Sequence, residues 1–353
     1  MLRVSTLLTC PICVTVNESV KFLLKALGSF SPQLFSVSSR IGAHAASGYR
    51  HQWNVRMRKL SEELTIENAK IRVDTFSDQE IRSAAGDPSY LTYRLGQVEI
   101  STRPTKAEPD VIWKMTGERS LSYQNNKLLM NGPYSEGEVQ RMLIALLVKA
   151  LEDVGLFTFH ASACYYGGRC VVFMSGEENH GKTMSLLEVA KRGGEVIAGE
   201  SLICNKEGRI VSGSPDVFLK RRPTGTERID KPPPMQGVNK FFDTIPAFKY
   251  HKGPTNADLM ILPDIDGNFD AFVGKMESFE KEYQTFHCLG DFYILRSLVS
   301  SRIPMPIVDD EEHRHRRAAF IAEFAKERPY YFIRGKSPEV ILDELDKILG
   351  IAH

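Results

Sequence analysis

Residues 170–183 read Cys170–Val–Val–Phe–Met–Ser–Gly176–Glu–Glu–Asn–His–Gly181–Lys182–Thr183, and this stretch decides the fold. The first five residues are almost wholly apolar, without alternation, as in a strand buried on both faces. From Gly176 the chain satisfies G-x-x-x-x-G-K-[ST] without a mismatch. The glycines let backbone N–H groups curl around phosphate oxygens where a side chain would obstruct them. Lys182 is spaced to reach β- and γ-phosphates, and the Thr183 hydroxyl to ligate Mg²⁺. Met184–Lys191 follows at helical spacing, so a helix N-terminus faces the same negative charge. Gly193–Gly194 stops that helix, and Glu195–Ala198 reads as a short strand. The segment predicts a nucleotide site made by Gly176, Glu177, Glu178, Asn179, His180, Gly181, Lys182, Thr183 and Met184. Glu177 and Glu178 must turn outward from the phosphates or contact the metal. His180 is expected to face solvent or the edge of the nucleotide.

Working upstream, Phe157–Cys164 reads as one strand, with a turn at Gly167–Gly168. Before it, Ser135 caps a helix with Glu136 and Glu138 in its first turn. Met142, Leu143, Leu146, Leu147 and Leu151 give that helix an apolar stripe, and Gly155 ends it. Short alternating runs such as Val98–Ser101 and Val111–Met115 predict strands separated by Gly86–Asp–Pro–Ser89, Asn125–Asn126 and Asn131–Gly132. Residues 60–155 are therefore expected to form a small strand-rich α+β subdomain. Residues 1–59 differ in composition. Up to Leu60 there are eight Lys/Arg and a single acid, Glu18. That balance predicts a poorly ordered or targeting-like extension. Val4–Val16 is too short to span a bilayer and contains Pro11.

Downstream, Ser201–Phe218 reads as strands joined by a turn at Glu207–Gly208. Lys220–Gly237 reads as a loop carrying Lys220, Arg221, Arg222 and Arg228. Asp258–Gly274 reads as a hairpin around Asp266–Gly267. Phe292–Ser301 and Glu311–Glu327 are expected helices, and Tyr330–Arg334 a late strand. The last helix has Ser337 as N-cap, Pro338 at its first position and Gly350 as its stop.

The run from Phe159 to Glu200 resembles the catalytic domain of the HPr kinase/phosphorylase family. The resemblance rests on Phe159–His160–Ala–Ser–Ala163, the turn Gly167–Gly168–Arg169, the loop Gly176–Thr183, and Lys191–Arg–Gly–Gly194 leading into Val196–Ile–Ala–Gly199–Glu200. It implies an α/β fold: a PEP-carboxykinase-like P-loop domain with a mixed sheet and flanking helices over 156–353. It also implies ATP and Mg²⁺ as cofactors, a hydroxyl acceptor on a protein, peptide or small molecule, and self-association into a homo-oligomer. The family carries two adjacent aspartates one helix and one strand after the loop lysine. Here Gly199 and Glu200 stand in their places. By resemblance Glu200 joins Thr183 in holding Mg²⁺, and the base expected at the first position is missing. His160 matches a family histidine and is the candidate substitute base, since imidazole titrates near neutral pH. The catalytic candidates are thus His160, Lys182 and Glu200. The expected activity is ATP-dependent kinase chemistry. A nucleotide-binding regulator with little or no transfer, or an enzyme running the site in a different direction, are the competing readings.

The 45 basic and 44 acidic residues leave a net charge of +1, so no global field draws the chain to nucleic acid or membrane. No basic stripe interleaves with aromatics. The six cysteines are irregularly spaced, which argues against a disulfide framework, and Cys10–Pro–Ile–Cys13 has no further pair nearby to complete a zinc site. Asp264–Asp270 lacks the glycine and glutamate positions of a calcium loop. Glu311–Arg317 reads as a solvated charged face. The expected location is cytoplasmic, with organelle targeting through the basic N-terminal segment as the alternative.

Overall fold

The computed structural model describes residues 57–175, 180–219, 240–242, 248–291, 298–300, 303–304 and 306–351. β1 (Arg58–Ile66) and β2 (Ala69–Ser77) form an antiparallel hairpin, with Leu64 opposite Ile71. The boundary expected at residue 60 therefore falls inside a strand, while residues 1–56 lie outside the described set. After helix α1 (Ser89–Leu95) come β3 (Glu99–Ser101), β4 (Val111–Lys114), β5 (Ser120–Gln124) and β6 (Lys127–Asn131). The six strands pair in the order β3-β1-β2-β4-β6-β5. Asn125 and Asn126, at φ 51° and 58°, close the β5–β6 turn in the left-handed conformation that a two-residue hairpin needs.

Helix α2 (Glu136–Asp153) begins in a capping box of Ser135 and Glu138. Its Met142, Leu143, Leu147 and Leu151 are buried with Leu64, Ile71, Val111 and Leu128 of the sheet. The same core takes in Ile203 and Val308, so this first sheet shares its interior with the later chain.

The rest is built around a seven-stranded mixed sheet. β7 (Leu156–Phe159) and β8 (Ala161–Tyr166) are separate strands, not the single Phe157–Cys164 strand expected; the chain changes sheets at His160. β9 (Arg169–Met174) leads toward the loop and α3 (Lys182–Lys191) leaves it. β10 (Glu195–Ala198), β11 (Leu202–Asn205), β12 (Arg209–Gly213) and β13 (Val217–Leu219) follow. Next are β14 (Lys240–Phe242), β15 (Lys249–Tyr250), β16 (Thr255–Asn256), β17 (Leu259–Ile265) and β18 (Phe272–Lys275). Helix α4 (Ser278–Gly290), β19 (Leu298–Ser300), β20 (Ile303–Pro304), α5 (Glu311–Glu327), β21 (Tyr330–Gly335) and α6 (Pro338–Leu349) complete the order. The large sheet runs β15-β10-β8-β9-β17-β21-β18, a four-stranded sheet runs β16-β12-β11-β7, and β13–β14 and β19–β20 are small pairs.

The unbroken apolar run of β9 has a packing cause. Cys170, Val172 and Met174 enter a core with Phe157, Phe159, Phe320 and Phe324. Val171 and Phe173 enter the opposite core with Leu186 and Val189 of α3 and Ile341, Leu342 and Leu345 of α6. Both faces are covered, so no polar alternation survives.

Three further expectations are corrected. β17 and β18 do not pair with each other, because β21 lies between them, parallel to β17 and antiparallel to β18. Leu298–Ser300 is a strand within the stretch expected to be helical; residues 292–297 and 301–302 lie outside the described set, as do Lys220, Arg221, Arg222 and Arg228. Helix α5 is not a wholly solvated face: His313 and Arg317 are buried on one side of it. Among the described residues no helix is long and apolar enough to cross a membrane.

Candidate functional site

Of the expected nucleotide contacts, Gly176, Glu177, Glu178 and Asn179 lie outside the described residues. Gly181 is the N-cap of α3 at φ 106°, a conformation that disfavours any side chain. A Cβ there would also stand 2.6 Å from Ile265 Cδ1. Lys182 is the first residue of α3, and its Nζ donates to the carbonyl of Ser175, 3.2 Å away, at the end of β9. Thr183 is half-buried on the same turn, and Met184 is exposed. His180 does not face solvent as expected. Its Nδ1 lies 3.7 Å from Asp264 Oδ1, and its carbonyl accepts from the Ile265 amide at 3.2 Å.

His160 and Glu200 are brought together by two strand registers. Phe159 of β7 pairs with Leu202 of β11, and Ala163 of β8 pairs with Ala198 of β10. Each residue therefore sits where the chain passes from one sheet to the other, and the two passages lie side by side. The His160 amide donates to the Cys288 carbonyl at 2.9 Å. Its ring spans two acids: Nδ1 is 3.0 Å from Asp291 Oδ2, and Nε2 is 3.4 Å from Glu200 Oε1. Asp291 is the C-cap of α4. Burial and the Lys182 charge push the imidazole pKa down; Asp291 and Glu200 outweigh both and hold it above its ordinary value. An acid at each ring nitrogen favours the protonated imidazole, which works against the role of base.

Glu200 also binds Arg94, whose Nη1 donates to the same Oε1. Arg94 arrives from α1, in the first sheet's half of the chain. Its guanidinium stands 5.6 Å from the Tyr90 ring centroid and 5.3 Å from that of Tyr93, and its Nε is 3.3 Å from the Tyr90 hydroxyl. Gly96 ends α1 at φ 99°, and a Cβ there would stand 2.8 Å from the Gly213 carbonyl oxygen. That close approach fixes the helix end beside β12. Burial would raise the Glu200 carboxyl; the hydrogen bond and charge of His160, then the charges of Arg94 and Lys182, hold it well below the carboxylate range. Burial would lower Arg94, and Glu200 together with Tyr90 and Tyr93 more than reverses it.

The structure gives a reason for glycine at 199. Its amide donates to the Ser214 carbonyl at 2.7 Å, and its own carbonyl accepts from Ser162 Oγ at 2.7 Å. A Cβ would meet the Asp216 carbonyl oxygen at 2.1 Å. No aspartate fits while the 214–216 segment runs there.

Arg94 and Asp291 were not singled out from sequence, and Asp264 was weighed only as the start of a calcium loop. Asp264 is buried near the end of β17, which runs parallel to β9, and accepts from Arg334 Nε at 2.8 Å. The signal was present: Leu259–Met–Ile–Leu–Pro–Asp264 is an apolar strand delivering an acid. The donor set tests the expected metal. Glu200 shares one oxygen between Arg94 and His160, and Asp264 holds Arg334. These residues, so paired, do not fit a Mg²⁺ ion held by Glu200. No family model matches this chain, and no curated protein matches it.

Proposed function

We propose that the chain binds a nucleoside triphosphate, ATP as the first candidate, at Gly176–Thr183, and works as a nucleotide-dependent regulatory protein with an HPr kinase-like, PEP-carboxykinase-like core. One observation carries the reading. A strand buried on both faces leads to a helix whose N-cap is a left-handed glycine and whose first residue is Lys182. Helix N-terminus and lysine together are suited to phosphate. The regulatory role is favoured over transfer because Gly199 has no room for an acid and Glu200 is held by Arg94.

The kinase reading stands second, supported by the gathering of Lys182, His160 and Glu200 in one cluster. It requires an acceptor hydroxyl on a protein, peptide or small molecule, and release of Glu200 from Arg94. Calorimetric titration with ATP tests the site. Wild type is expected to bind, and Lys182→Ala to weaken binding by about tenfold or more. Equal affinity in the two proteins would remove the loop assignment. Transfer of labelled γ-phosphate to an acceptor would favour the second reading over the first.

A further inference from the structure

Arg94 is a built feature of the site rather than a surface contact. It comes from helix α1, lies against two tyrosines, and is positioned by a glycine whose approach to the Gly213 carbonyl admits no side chain. Burial, then the charge of Glu200, hold the Tyr93 hydroxyl well above its ordinary pKa. Glu200 is thus held by Arg94 and His160, and His160 precedes Ala161, which pairs with Met174 one residue before the Ser175 carbonyl that accepts from Lys182. An unpaired carboxylate there would repel a triphosphate. In a metal-dependent phosphate site a divalent cation removes that repulsion. Here the compensation is already supplied by the chain. Asp264 is compensated in the same way by Arg334, and that guanidinium stacks 4.7 Å from the Phe269 ring centroid. Glu200 and Asp264 are therefore each paired with an arginine from another element, while Asp291 is paired with His160.

We propose that Arg94 takes the place of the divalent cation, so that the ligand of this site is the metal-free nucleoside triphosphate. The inference rests on the nucleotide site proposed above. Lys182 and the α3 N-terminus meet the phosphates, and Arg94 is a positioning residue that keeps Glu200 from opposing them.

The experiment is calorimetric titration of the full chain with ATP, once in EDTA and once in excess Mg²⁺. The wild type is expected to bind with affinities equal within about twofold in the two buffers. In Arg94→Met, affinity in EDTA should fall by about tenfold and Mg²⁺ should restore it, because the exposed carboxylate then needs a metal. Arg94→Lys should behave like wild type. Wild-type binding that weakens by about tenfold or more in EDTA overturns the proposal while leaving the nucleotide site standing. An Arg94→Met variant that stays folded and remains indifferent to Mg²⁺ overturns it too. If that variant fails to fold, as read by circular dichroism, the two wild-type titrations decide alone. Absence of binding in both buffers defeats the nucleotide site itself, and this inference with it.

Discussion

Arg317 and Arg94 both meet carboxylates inside the protein, Arg317 between α5 and α2 and Arg94 beside the candidate loop. Arg317 is 1% exposed and contacts both oxygens of Glu152, at 3.2 and 3.1 Å, and Asp309 at 2.8 Å. His313, one turn earlier, is held by Asp310 at 2.7 Å and Asp153 at 2.9 Å. In this pair burial prevails over attraction: it pushes Glu152 upward and Arg317 downward, each toward neutrality. At the site the balance reverses. Glu200 is held down because His160, Arg94 and Lys182 surround one acid with positive charge, and Arg94 is held up against burial by Glu200 together with Tyr90 and Tyr93. The same two residue types thus serve as a structural staple in one place and as charge compensation in the other. Desolvation sets the first, and the surrounding cations set the second.

The largest break in this comparison is at the staple. Arg317→Met should lower stability by about 3–5 kcal/mol by leaving buried acids unpaired, and adding Glu152→Leu should recover part of the loss. Denaturant unfolding of the single and double variants measures both; no recovery would mean that the pair itself is strongly stabilising. Next is the backbone that carries Glu200. Gly199→Ala forces a Cβ against a carbonyl oxygen 2.1 Å away, so a cost of about 3 kcal/mol is expected from overpacking. A melting temperature equal to that of wild type would show that the 214–216 segment yields freely. The smallest effect is in acid. Glu200 has a folded pKa below its unfolded value near 4.5, so its contribution to stability is complete above that pH and is lost as pH falls through the folded value. Thermal melts of wild type and Glu200→Gln should therefore differ by a constant amount above about pH 5, and the gap should narrow progressively as pH falls below the unfolded value. A gap that stays constant into acid would place the stabilisation in packing rather than charge.

The sequence reading reached furthest where local signals agree with packing. Helix α5 spans Glu311–Glu327 as its capping and composition predict, and α6 has Ser337, Pro338 and Gly350 at the expected positions. β9 and α3 flank the loop because apolar run, glycine and helical spacing all point one way. The two helices that supply Arg94 and Asp291 were hidden for physical reasons. In α1 the buried residues are Leu91, Tyr93 and Leu95, an alternation that reads as a strand. In α4 the large apolar residues Phe279, Tyr283 and Phe286 are exposed, while Thr285, Cys288, Leu289 and Gly290 are buried. A hydrophobic pattern that faces solvent gives no inward stripe to follow. Sheet order was also out of reach. Insertion of β21 between β17 and β18 depends on residues more than sixty positions away from β17, with nothing local to announce it.

Two of the crossings between sheets have a mechanical consequence. The four-stranded and seven-stranded sheets are joined by covalent backbone at position 160 and at positions 199–201. The chain also crosses between these sheets at 251–254 and 257–258, so those peptides share any load that tilts one sheet against the other. His160 and Glu200 are the side chains mounted on the first two crossings, whereas Arg94 hangs from neither. The acid and the imidazole therefore ride together, as on one beam, and any motion that shifts this junction relative to α1 changes the gap between that beam and the arginine.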